Sequence, residues 1–307
     1  MQIHQSWQGL DPSARGASVA MGNFDGVHLG HQAVIDLARG TAPLGIVTFE
    51  PHPRQVFLPD APAFRLMNAE ARSNRLAKLG VEHLFELPFN AGLASLTPQD
   101  FARDVLAYGL GITHVVVGAD FCFGKGRSGK ANDLQELGDA YGFRTTIADL
   151  ITFGDQPISS SAIRKSLSDG HPRDAATMLG HWHRIEGAVV HGEKRGRELG
   201  YPTANMSVAG LHLPRHGVYA VKVDVLTGQH KGSYDGAASL GVRPMFGVNQ
   251  PNLETFVFDF NGNLYGAHLS VAFVEYLRPE LKFDGLPALI AQMDDDCIRA
   301  RTILSAL

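Results

Sequence analysis

The feature that most constrains the fold of this chain is a change of pattern near residue 180. Before it, short apolar runs alternate with helical patterns, as in GASVAM, HQAVIDLARG, PLGIVTFE and THVVVG. After it, strand patterns follow one another without helices between them, as in GVYAVKVDV, LETFVFDF and AHLSVAFVEYL. The first pattern predicts a parallel sheet covered by helices, and the second predicts a small antiparallel barrel. We therefore predict an α/β doubly wound domain over residues 1–180 and a β-barrel domain over residues 181–307.

A C-terminal helix is predicted in the last segment, DGLPALIAQMDDDCIRARTIL. Its apolar side chains recur at helical spacing and form one stripe, which consists of Leu286, Leu289, Ile290, Met293 and Cys297. We expect this stripe to pack against the barrel. No regular internal repeat relates the two halves, so they should be different folds joined in one chain.

Composition excludes several functional classes. With 27 Lys and Arg against 31 Asp and Glu, the net charge of −4 argues against a nucleic-acid partner. No apolar run approaches a membrane span and the N-terminus lacks a signal-peptide pattern, so we expect a cytoplasmic protein without a membrane partner. The two cysteines, Cys122 and Cys297, are too few for a disulfide framework or a zinc cluster. The sequence leaves the oligomeric state open.

A phosphate site is predicted in SVAMGNFDGVHLGHQAVIDLA, where an apolar strand runs through a glycine-rich turn into a helix. Such a turn directs backbone N–H groups and the positive end of the helix dipole towards an anion. His28 and His31 are three residues apart, so both can face this anion and donate hydrogen bonds to phosphate oxygens. Two histidines at this spacing are also compatible with incidental positions, but the glycine-rich context favours the phosphate site.

A second anion-binding element is predicted in QPISSSAIRKSLSDG, where three serines precede a helix. Serines in such positions ordinarily cap the helix, which stabilises it by about 1 kcal/mol. Ser160 and Ser161 together with Arg164, one turn into the helix, also form a good clamp for a polyphosphate.

Residues 124–130, GKGRSGK, nearly spell a Walker A motif. Ala131 stands where that motif requires Ser or Thr to bind magnesium. We therefore interpret this stretch as a basic loop over the nucleotide, with a P-loop kinase as the less favoured alternative.

Oxygen ligands suited to magnesium are predicted in AVVHGEKRGRELGYPTANMSV. Thr203 and Asn205 are two residues apart, so in an extended segment their side chains point the same way. Hard oxygen ligands of this kind suit Mg²⁺, which keeps waters and takes further ligands from phosphates. An ordinary polar turn is the alternative.

A candidate general base lies in LETFVFDF. Strand alternation predicts that Glu254, Phe256, Phe258 and Phe260 share one face. A partly desolvated carboxylate among phenylalanines has a raised pKa and accepts a proton well near neutral pH. A glutamate at a strand end that simply reaches solvent is the alternative.

Several motifs, taken in order, resemble the adenylyltransferase module of bacterial bifunctional riboflavin kinase/FAD synthetases. They are GNFDGVHLGH, TFEPHP, VVVGADFCFGKGRSG and ISSSAIRKSL. The resemblance implies that His28 and His31 stabilise the transferring α-phosphate of ATP. It further implies a pyrophosphate clamp of Ser160, Ser161 and Arg164, a nucleotide pocket lined by Gly22, Phe24 and Asp120, and a flavin side that includes His52 and Arg54. For the last two residues a proline-stiffened surface turn is an equal alternative.

The second half resembles the riboflavin kinase module of the same family, in HGEKRGRELGYPTAN, PRHGVYAV, GAASLGVRPMF, LETFVFDFNGNLYG and LRPELKFDGLPALIAQMDDD. The resemblance implies that Thr203 and Asn205 bind Mg²⁺ and that Glu254 is the base for the ribityl 5′-hydroxyl. It also implies that Arg278 contacts the flavin and that the ATP phosphates are contacted by Gly192, Arg195, Gly196 and Arg197. The family often has Asn, Thr and His where this chain has Ser239, Met245 and Phe256, which affects the flavin contacts.

The resemblance predicts a magnesium-dependent enzyme that makes FMN from riboflavin and ATP, and then FAD and pyrophosphate from FMN and ATP. One alternative is a nucleotidyltransferase for another phosphorylated acceptor, with the barrel as an accessory domain. Another is a flavin-binding redox or regulatory protein. Thr203, Asn205 and Glu254 argue against the first, and the joint occurrence of all the motifs argues against the second.

Overall fold

A computed structural model describes residues 1–149, 151–153, 156–191, 200–242 and 251–307 of the chain. The chain folds into two compact units. The first consists of Met1–Pro62 and Arg72–Ser159, and the second of Ala63–Ala71 and Ser160–Leu307.

The first unit is built on a six-stranded, all-parallel sheet. Its strands, in sheet order, are β1 Gln2–His4, β4 His83–Pro88, β3 Leu44–Glu50, β2 Ser18–Met21, β5 His114–Gly118 and β8 Arg144–Ala148. Two short hairpins accompany it, formed by β6 Cys122–Phe123 with β7 Gly129–Lys130 and by β9 Thr152–Phe153 with β10 Gln156–Pro157. The chain order reverses at β2, since β3 lies on one side of it and β5 on the other. Ligands of open α/β sheets bind at such a switch point, beyond the carboxyl ends of the strands.

The helices cover the sheet and flank the barrel. In chain order they are α1 Leu29–Leu37, α2 Pro53–Phe57, α3 Ala69–Lys78, α4 Ala91–Ser95, α5 Pro98–Asp100, α6 Ala131–Tyr141, α7 Ser160–Asp169, α8 Pro172–Leu179 and α9 Leu286–Leu304. There are also 3₁₀-helices at Pro12–Ala14 and Lys125–Arg127 and a π-helix at Phe101–Leu110. The stretch with the near Walker A sequence therefore forms the hairpin of β6 and β7 and not a single loop between a strand and a helix.

The second unit is a closed, antiparallel, six-stranded barrel. Its strands, in barrel order, are β11 Arg184–Val190, β12 Thr203–Ser207, β15 Pro251–Val257, β14 Gly232–Val242, β13 Gly217–Val225 and β16 His268–Arg278. Alternate side chains fill the interior, among them Met206, Leu240 and Leu253, each fully buried. The outer wall carries a second apolar cluster, in which Ala300 and Leu304 of α9 pack against strand residues. The predicted fold class and the packing of the C-terminal helix on the barrel are confirmed. Within the predicted stripe, however, Leu286 is exposed and the other four residues are only half-buried, whereas the buried apolar residues of α9 are Ala300 and Leu304.

The residue ranges of the two compact units differ from those of the two predicted domains. Helix α8 packs on β16, and Arg173 makes an ion pair with Glu275 at 2.5 Å. The Ala63–Ala71 segment also joins the barrel unit, where Asn68 donates from Nδ2 to the backbone oxygen of Glu186 at 2.9 Å. A change in strand pattern reveals where the fold changes, but it does not reveal which neighbouring helices pack against the new fold. The functional boundary near residue 180 stays a prediction.

Candidate active sites

The loop after β2 brings the two predicted histidines together. Phe24 and Val27 have φ angles of 51° and 45°, a left-handed conformation that is uncommon outside glycine. These bends lead the chain into α1, for which His28 is the N-cap. The spacing of three residues then places His31 in the first turn of the same helix.

The hydrogen bond that caps α1 defines where His28 can carry a proton. Nδ1 of His28 accepts a hydrogen bond from the backbone N–H of His31 at 3.3 Å. Because Nδ1 is the acceptor, a neutral His28 carries its proton on Nε2 and can donate it to a ligand. The histidine rings stack with centroids 3.6 Å apart. Burial and the adjacent His28 hold the pKa of His31 well below its usual value, so His31 is neutral at physiological pH.

The residues predicted to line the nucleotide pocket differ in exposure. Phe24 is 1% exposed, and its ring lies 5.1 Å from that of His31. Gly22 follows β2 and donates its N–H to the backbone oxygen of Val47 at 3.1 Å. Asp120 is exposed just after β5. Gly22 and Asp120 thus follow the two strands that form the switch point of the sheet.

The predicted flavin-side residues follow β3. His52 is buried and caps α2, accepting at Nδ1 from the N–H of Arg54 at 3.1 Å, whereas Arg54 is exposed. Sequence reasoning missed the ion pairs below this loop. Arg72 donates to a carboxylate oxygen of Glu50 at 2.9 Å and to one of Glu86 at 2.6 Å.

Ser160, Ser161 and Arg164 lie on α7, which belongs to the second unit. Nε of Arg164 donates to the backbone oxygen of Phe64 at 2.5 Å, and its guanidinium lies 5.4 Å from the centre of the Phe64 ring. A longer bond of 3.5 Å joins Arg164 to Ser161. The predicted pyrophosphate clamp stays a prediction.

Strand register brings the predicted kinase residues together on the barrel. In the pairing of β12 with β15, Asn205 lies opposite Glu254 and Thr203 lies opposite Phe256. Ala204 and Met206 on β12 and Leu253 and Val257 on β15 belong to the barrel interior, so the alternating side chains of Thr203, Asn205, Glu254 and Phe256 lie on the outer wall. Asn205 and Glu254 are buried, with 8% and 9% of their surface exposed.

Sequence reasoning missed a third member of this group. Asn252 lies two residues before Glu254 on the same face of β15, and its Nδ2 donates to Asn205 Oδ1 and to Glu254 Oε1, both at 3.2 Å. Nδ2 of Asn205 in turn donates to the backbone oxygen of Thr203 at 3.3 Å. An Asn two residues before a Glu in a strand was a signal that these side chains share a face, but only the register reveals Asn205 as their neighbour.

The predicted face of aromatic residues is wrong at its end. Phe256 and Phe258 contact each other on the outer wall, with ring centroids 5.8 Å apart, whereas Phe260 packs with the barrel interior. Strand β15 ends at Val257, and Asp259 has a φ of 55°. This left-handed residue breaks the alternation of side chains, so Phe260 turns inward.

The C-terminal helix contacts two segments near the predicted kinase residues, one just before Thr203 and one at the end of β16. The hydroxyl of Tyr201, just before the Thr203–Asn205 segment, donates to a carboxylate oxygen of Asp294. This hydrogen bond raises the pKa of Tyr201 to about 12. Arg278, predicted to border the flavin, makes an ion pair with buried Asp296 at 2.7 Å.

Some predicted residues lie outside the described part of the chain. They are Gly192, Arg195, Gly196, Arg197 and Met245. Ser239 is described and lies opposite Glu254 on β14. Among the described residues, no group of three or more His, Cys, Asp or Glu side chains is arranged to hold a metal ion.

Comparisons with known proteins follow the division between sheet and barrel. A family model described as FAD synthetase matches residues 10–162, and one described as riboflavin kinase matches residues 179–304. A bifunctional riboflavin kinase/FMN adenylyltransferase from Pseudomonas fluorescens is 38% identical over 99% of this chain and 98% of its own length. The chain belongs to the bifunctional riboflavin kinase/FMN adenylyltransferase family. It makes FMN from riboflavin and ATP, and then FAD from FMN and ATP.

Other similar proteins share both halves. The relative of the same name from Escherichia coli strain K12 is 36% identical over 93% of this chain and 92% of its own. A solved structure from Streptococcus pneumoniae, named a macrolide-efflux protein, is 30% identical, covers 96% of both chains and has a TM-score of 0.81. Across the residues that the structure describes, no helix of this chain has the length and apolar character needed to span a membrane.

Proposed function

We propose that the two reactions of this enzyme use separate groups of residues. Adenylyl transfer to FMN would depend on His28 and His31, and phosphorylation of riboflavin would depend on Thr203, Asn205 and Glu254. The observation that carries the second assignment is the strand register that pairs Asn205 with Glu254. It supports a site in which oxygen ligands and a proton acceptor face the same substrates.

At the adenylyl site, catalysis consists mainly of positioning and of stabilising charge on the α-phosphate of ATP. His28 has the Nε2–H donor for this role, because its Nδ1 is occupied by the helix cap. His31 is neutral and keeps one N–H donor. In this proposal Gly22, Phe24 and Asp120 contact the nucleotide, Ser160, Ser161 and Arg164 hold pyrophosphate, and His52 and Arg54 contact the flavin.

At the kinase site, the donor set of Thr203 and Asn205 fits magnesium. Both offer hard oxygen ligands on one face of β12, and the hydrogen bond from Asn205 Nδ2 to Thr203 determines that Oδ1 points the other way. A bound magnesium ion would supply positive charge beside the phosphates of ATP. Glu254 accepts the proton of the riboflavin 5′-hydroxyl as that oxygen attacks the γ-phosphate.

The remaining assignments in this proposal are coarser. Residues 192–197, between β11 and β12, contact the ATP phosphates, and Arg278 borders the flavin. The functional division lies near residue 180. We also propose a cytoplasmic location, because a reducing compartment suits two free cysteines, Cys122 and Cys297.

Two variants of the full chain test the separation of the sites. FMN and FAD would be separated after incubation with riboflavin, ATP and magnesium, and FAD formation from supplied FMN would be measured independently. His28→Ala should reduce FAD formation about 100- to 1000-fold, because one preorganised donor is lost. Glu254→Gln should reduce FMN formation about 100- to 10,000-fold, because general-base assistance is lost.

Each variant serves as the control for the other. His28→Ala should keep FMN formation, and Glu254→Gln should keep FAD formation from FMN. Equal loss of both activities in either folded variant would show that the assignment to separate sites is wrong.

A further inference from the structure

Asn252 contacts both a proposed magnesium ligand, Asn205, and the proposed base, Glu254, although no step of the reaction is assigned to Asn252 itself. Its Nδ2 donates to Asn205 Oδ1 and to Glu254 Oε1, and both distances are 3.2 Å. We propose that Asn252 is a positioning residue of the riboflavin kinase site, which holds the ligand oxygen of Asn205 and the carboxylate of Glu254 in fixed places. This inference rests on the proposed roles of Asn205 and Glu254.

The first consequence of this contact is the orientation of the Asn205 amide. An asparagine amide has an oxygen at one end and an N–H donor group at the other, and turning it over exchanges them. Nδ2 of Asn205 is held by the backbone oxygen of Thr203 at 3.3 Å, and Oδ1 is held by Asn252. Turned over, Asn205 would place a donor against the donor of Asn252 and lose both bonds. Asn252 therefore keeps the oxygen of Asn205 on the side where a cation ligand is needed.

The second consequence is that Oε1 of Glu254 has a fixed position. Asn252 and Glu254 are two residues apart on β15 and share its outer face. A hydrogen bond to an ionised carboxylate is stronger than one between neutral groups, so it restrains the plane of the carboxylate. Because one amide nitrogen bonds to both partners, it also fixes their distance from each other. The amide oxygen of Asn205 has two acceptor lone pairs, so the bond from Asn252 leaves one for a cation.

Two substitutions at this position separate positioning from simple packing. Asn252→Asp keeps the shape of the side chain but presents only acceptors, next to the carboxylate of Glu254 and the oxygen of Asn205. Relief of the repulsion with Asn205 requires its amide to turn over, which withdraws its oxygen, and the repulsion with Glu254 displaces the carboxylate. Asn252→Ala removes the amide without adding charge. Positioning therefore predicts a larger loss for Asn252→Asp than for Asn252→Ala, whereas packing predicts the reverse order.

The test uses the full-length enzyme. We expect kcat for FMN formation to fall about 10- to 100-fold in Asn252→Asp and less in Asn252→Ala, as for a lost hydrogen bond to a charged group. KM for riboflavin should change by less than about threefold. Calorimetric titration with ADP, with and without magnesium, supplies a readout other than activity. The gain in ADP affinity from magnesium should shrink in the same order, Asn252→Asp more than Asn252→Ala.

Three controls make the result specific. FAD formation from supplied FMN in the same samples should be unchanged. Asn261→Asp adds the same charge at an exposed position of the barrel unit and should leave FMN formation unchanged. Asn205→Ala and Glu254→Gln, assayed in parallel, test the proposed function itself.

The outcomes distinguish failure of the proposed kinase site from failure of the role proposed for Asn252. Normal FMN formation in Asn205→Ala and Glu254→Gln would refute the proposed kinase site. If those two variants lose activity while Asn252→Asp keeps normal kcat and normal magnesium-dependent ADP binding, only the role of Asn252 is refuted. If Asn252→Asp does not fold, Asn252→Ala decides, because unchanged kcat and unchanged ADP binding in that variant refute the role as well.

Discussion

Replacement of Arg72 by methionine should strongly destabilise the first unit. The Arg72 side chain is 1% exposed and donates to Glu86 at 2.6 Å and to Glu50 at 2.9 Å. Methionine fills much of the same space but offers no charge or donor. Arg72→Met would therefore remove the cation that pairs with both Glu50 and Glu86.

The magnitude follows from the exposure of the two carboxylates. Removing one partner of a buried ion pair costs about 3–5 kcal/mol, because an uncompensated charge remains. The Glu86 side chain is only 10% exposed, whereas that of Glu50 is 31% exposed and can gain water, so we expect about 3–4 kcal/mol. For a unit of about 150 residues, each kcal/mol lowers Tm by about 2–4 °C, which gives a decrease of about 6–16 °C.

The two tryptophans allow each unit to be followed separately. Trp7 packs against the core of the first unit, and Trp182 packs against the outer apolar cluster of the second. In a Trp182→Phe background, thermal unfolding monitored by fluorescence reports the first unit through Trp7. The double variant Arg72→Met/Glu86→Gln should recover part of the lost stability, because it removes the negative charge of the more buried carboxylate.

A matched control substitutes another arginine of the same unit. Arg103 pairs with Asp100 at 2.8 Å and with Asp104 at 2.7 Å, but its side chain is 39% exposed, so Arg103→Met should change Tm little. The distances are similar in both cases, and burial is the main difference. If Arg72→Met lowers Tm no more than Arg103→Met, burial of the Arg72 ion pairs contributes little and the reasoning fails.

Three further predictions concern single positions. Gly30→Ala places a Cβ 3.2 Å from the His28 ring, so FAD formation should fall about tenfold because the ring is displaced. The stability of α1 should rise by up to about 1 kcal/mol, and an unchanged rate of FAD formation in the stabilised variant would contradict the prediction. Thr203→Ala should raise the magnesium concentration needed for half-maximal FMN formation and spare FAD formation from FMN, and an unchanged magnesium midpoint would exclude Thr203 as a ligand. Burial, with smaller effects from His181 and His212, lowers the pKa of His183 to about 3, so below about pH 6.5 the unfolded chain binds a proton that the folded chain does not. Stability of the second unit, followed by Trp182 fluorescence in a Trp7→Phe background, should therefore fall by up to about 1.4 kcal/mol per pH unit on acidification, and His183→Leu should remove that part of the slope; an equal slope in both proteins would contradict it.

The parts of the sites that the sequence predicted depend on local geometry. His28 and His31 are separated by one helical turn, and Thr203 and Asn205 by one strand repeat, so spacing alone places each pair on one face. That Glu254 lies opposite Asn205 needed the register of two strands separated in sequence by β13 and β14. Spacing within one strand contains no information on its register with another.

The parts that the sequence did not predict depend on long-range packing or on single backbone angles. Arg72 lies in a helical pattern, and nothing in that pattern reveals that Glu50 and Glu86 from two different strands surround its side chain. Strand alternation places Phe260 on the wrong face, because the alternation does not continue through Asp259, which adopts a positive φ. Aspartate tolerates this conformation better than most residues, so its presence was a weak signal for the end of the strand.

On β12 and β15, the residues of the proposed kinase site alternate along the chain with residues of the barrel core. In a systematic scan, substitutions should therefore fall into two classes that alternate along each strand. Changes at Ala204 or Leu253 should lower the amount of folded protein, whereas changes at Asn205 or Glu254 should lower FMN formation while the amount of folded protein stays normal. Deletion of a single residue within β15 belongs to neither class, because it turns every following side chain to the opposite face. Such a deletion would move apolar residues into the site and polar residues into the core at once. Homologous enzymes of this family should therefore vary in length at the ends of these two strands and not within them.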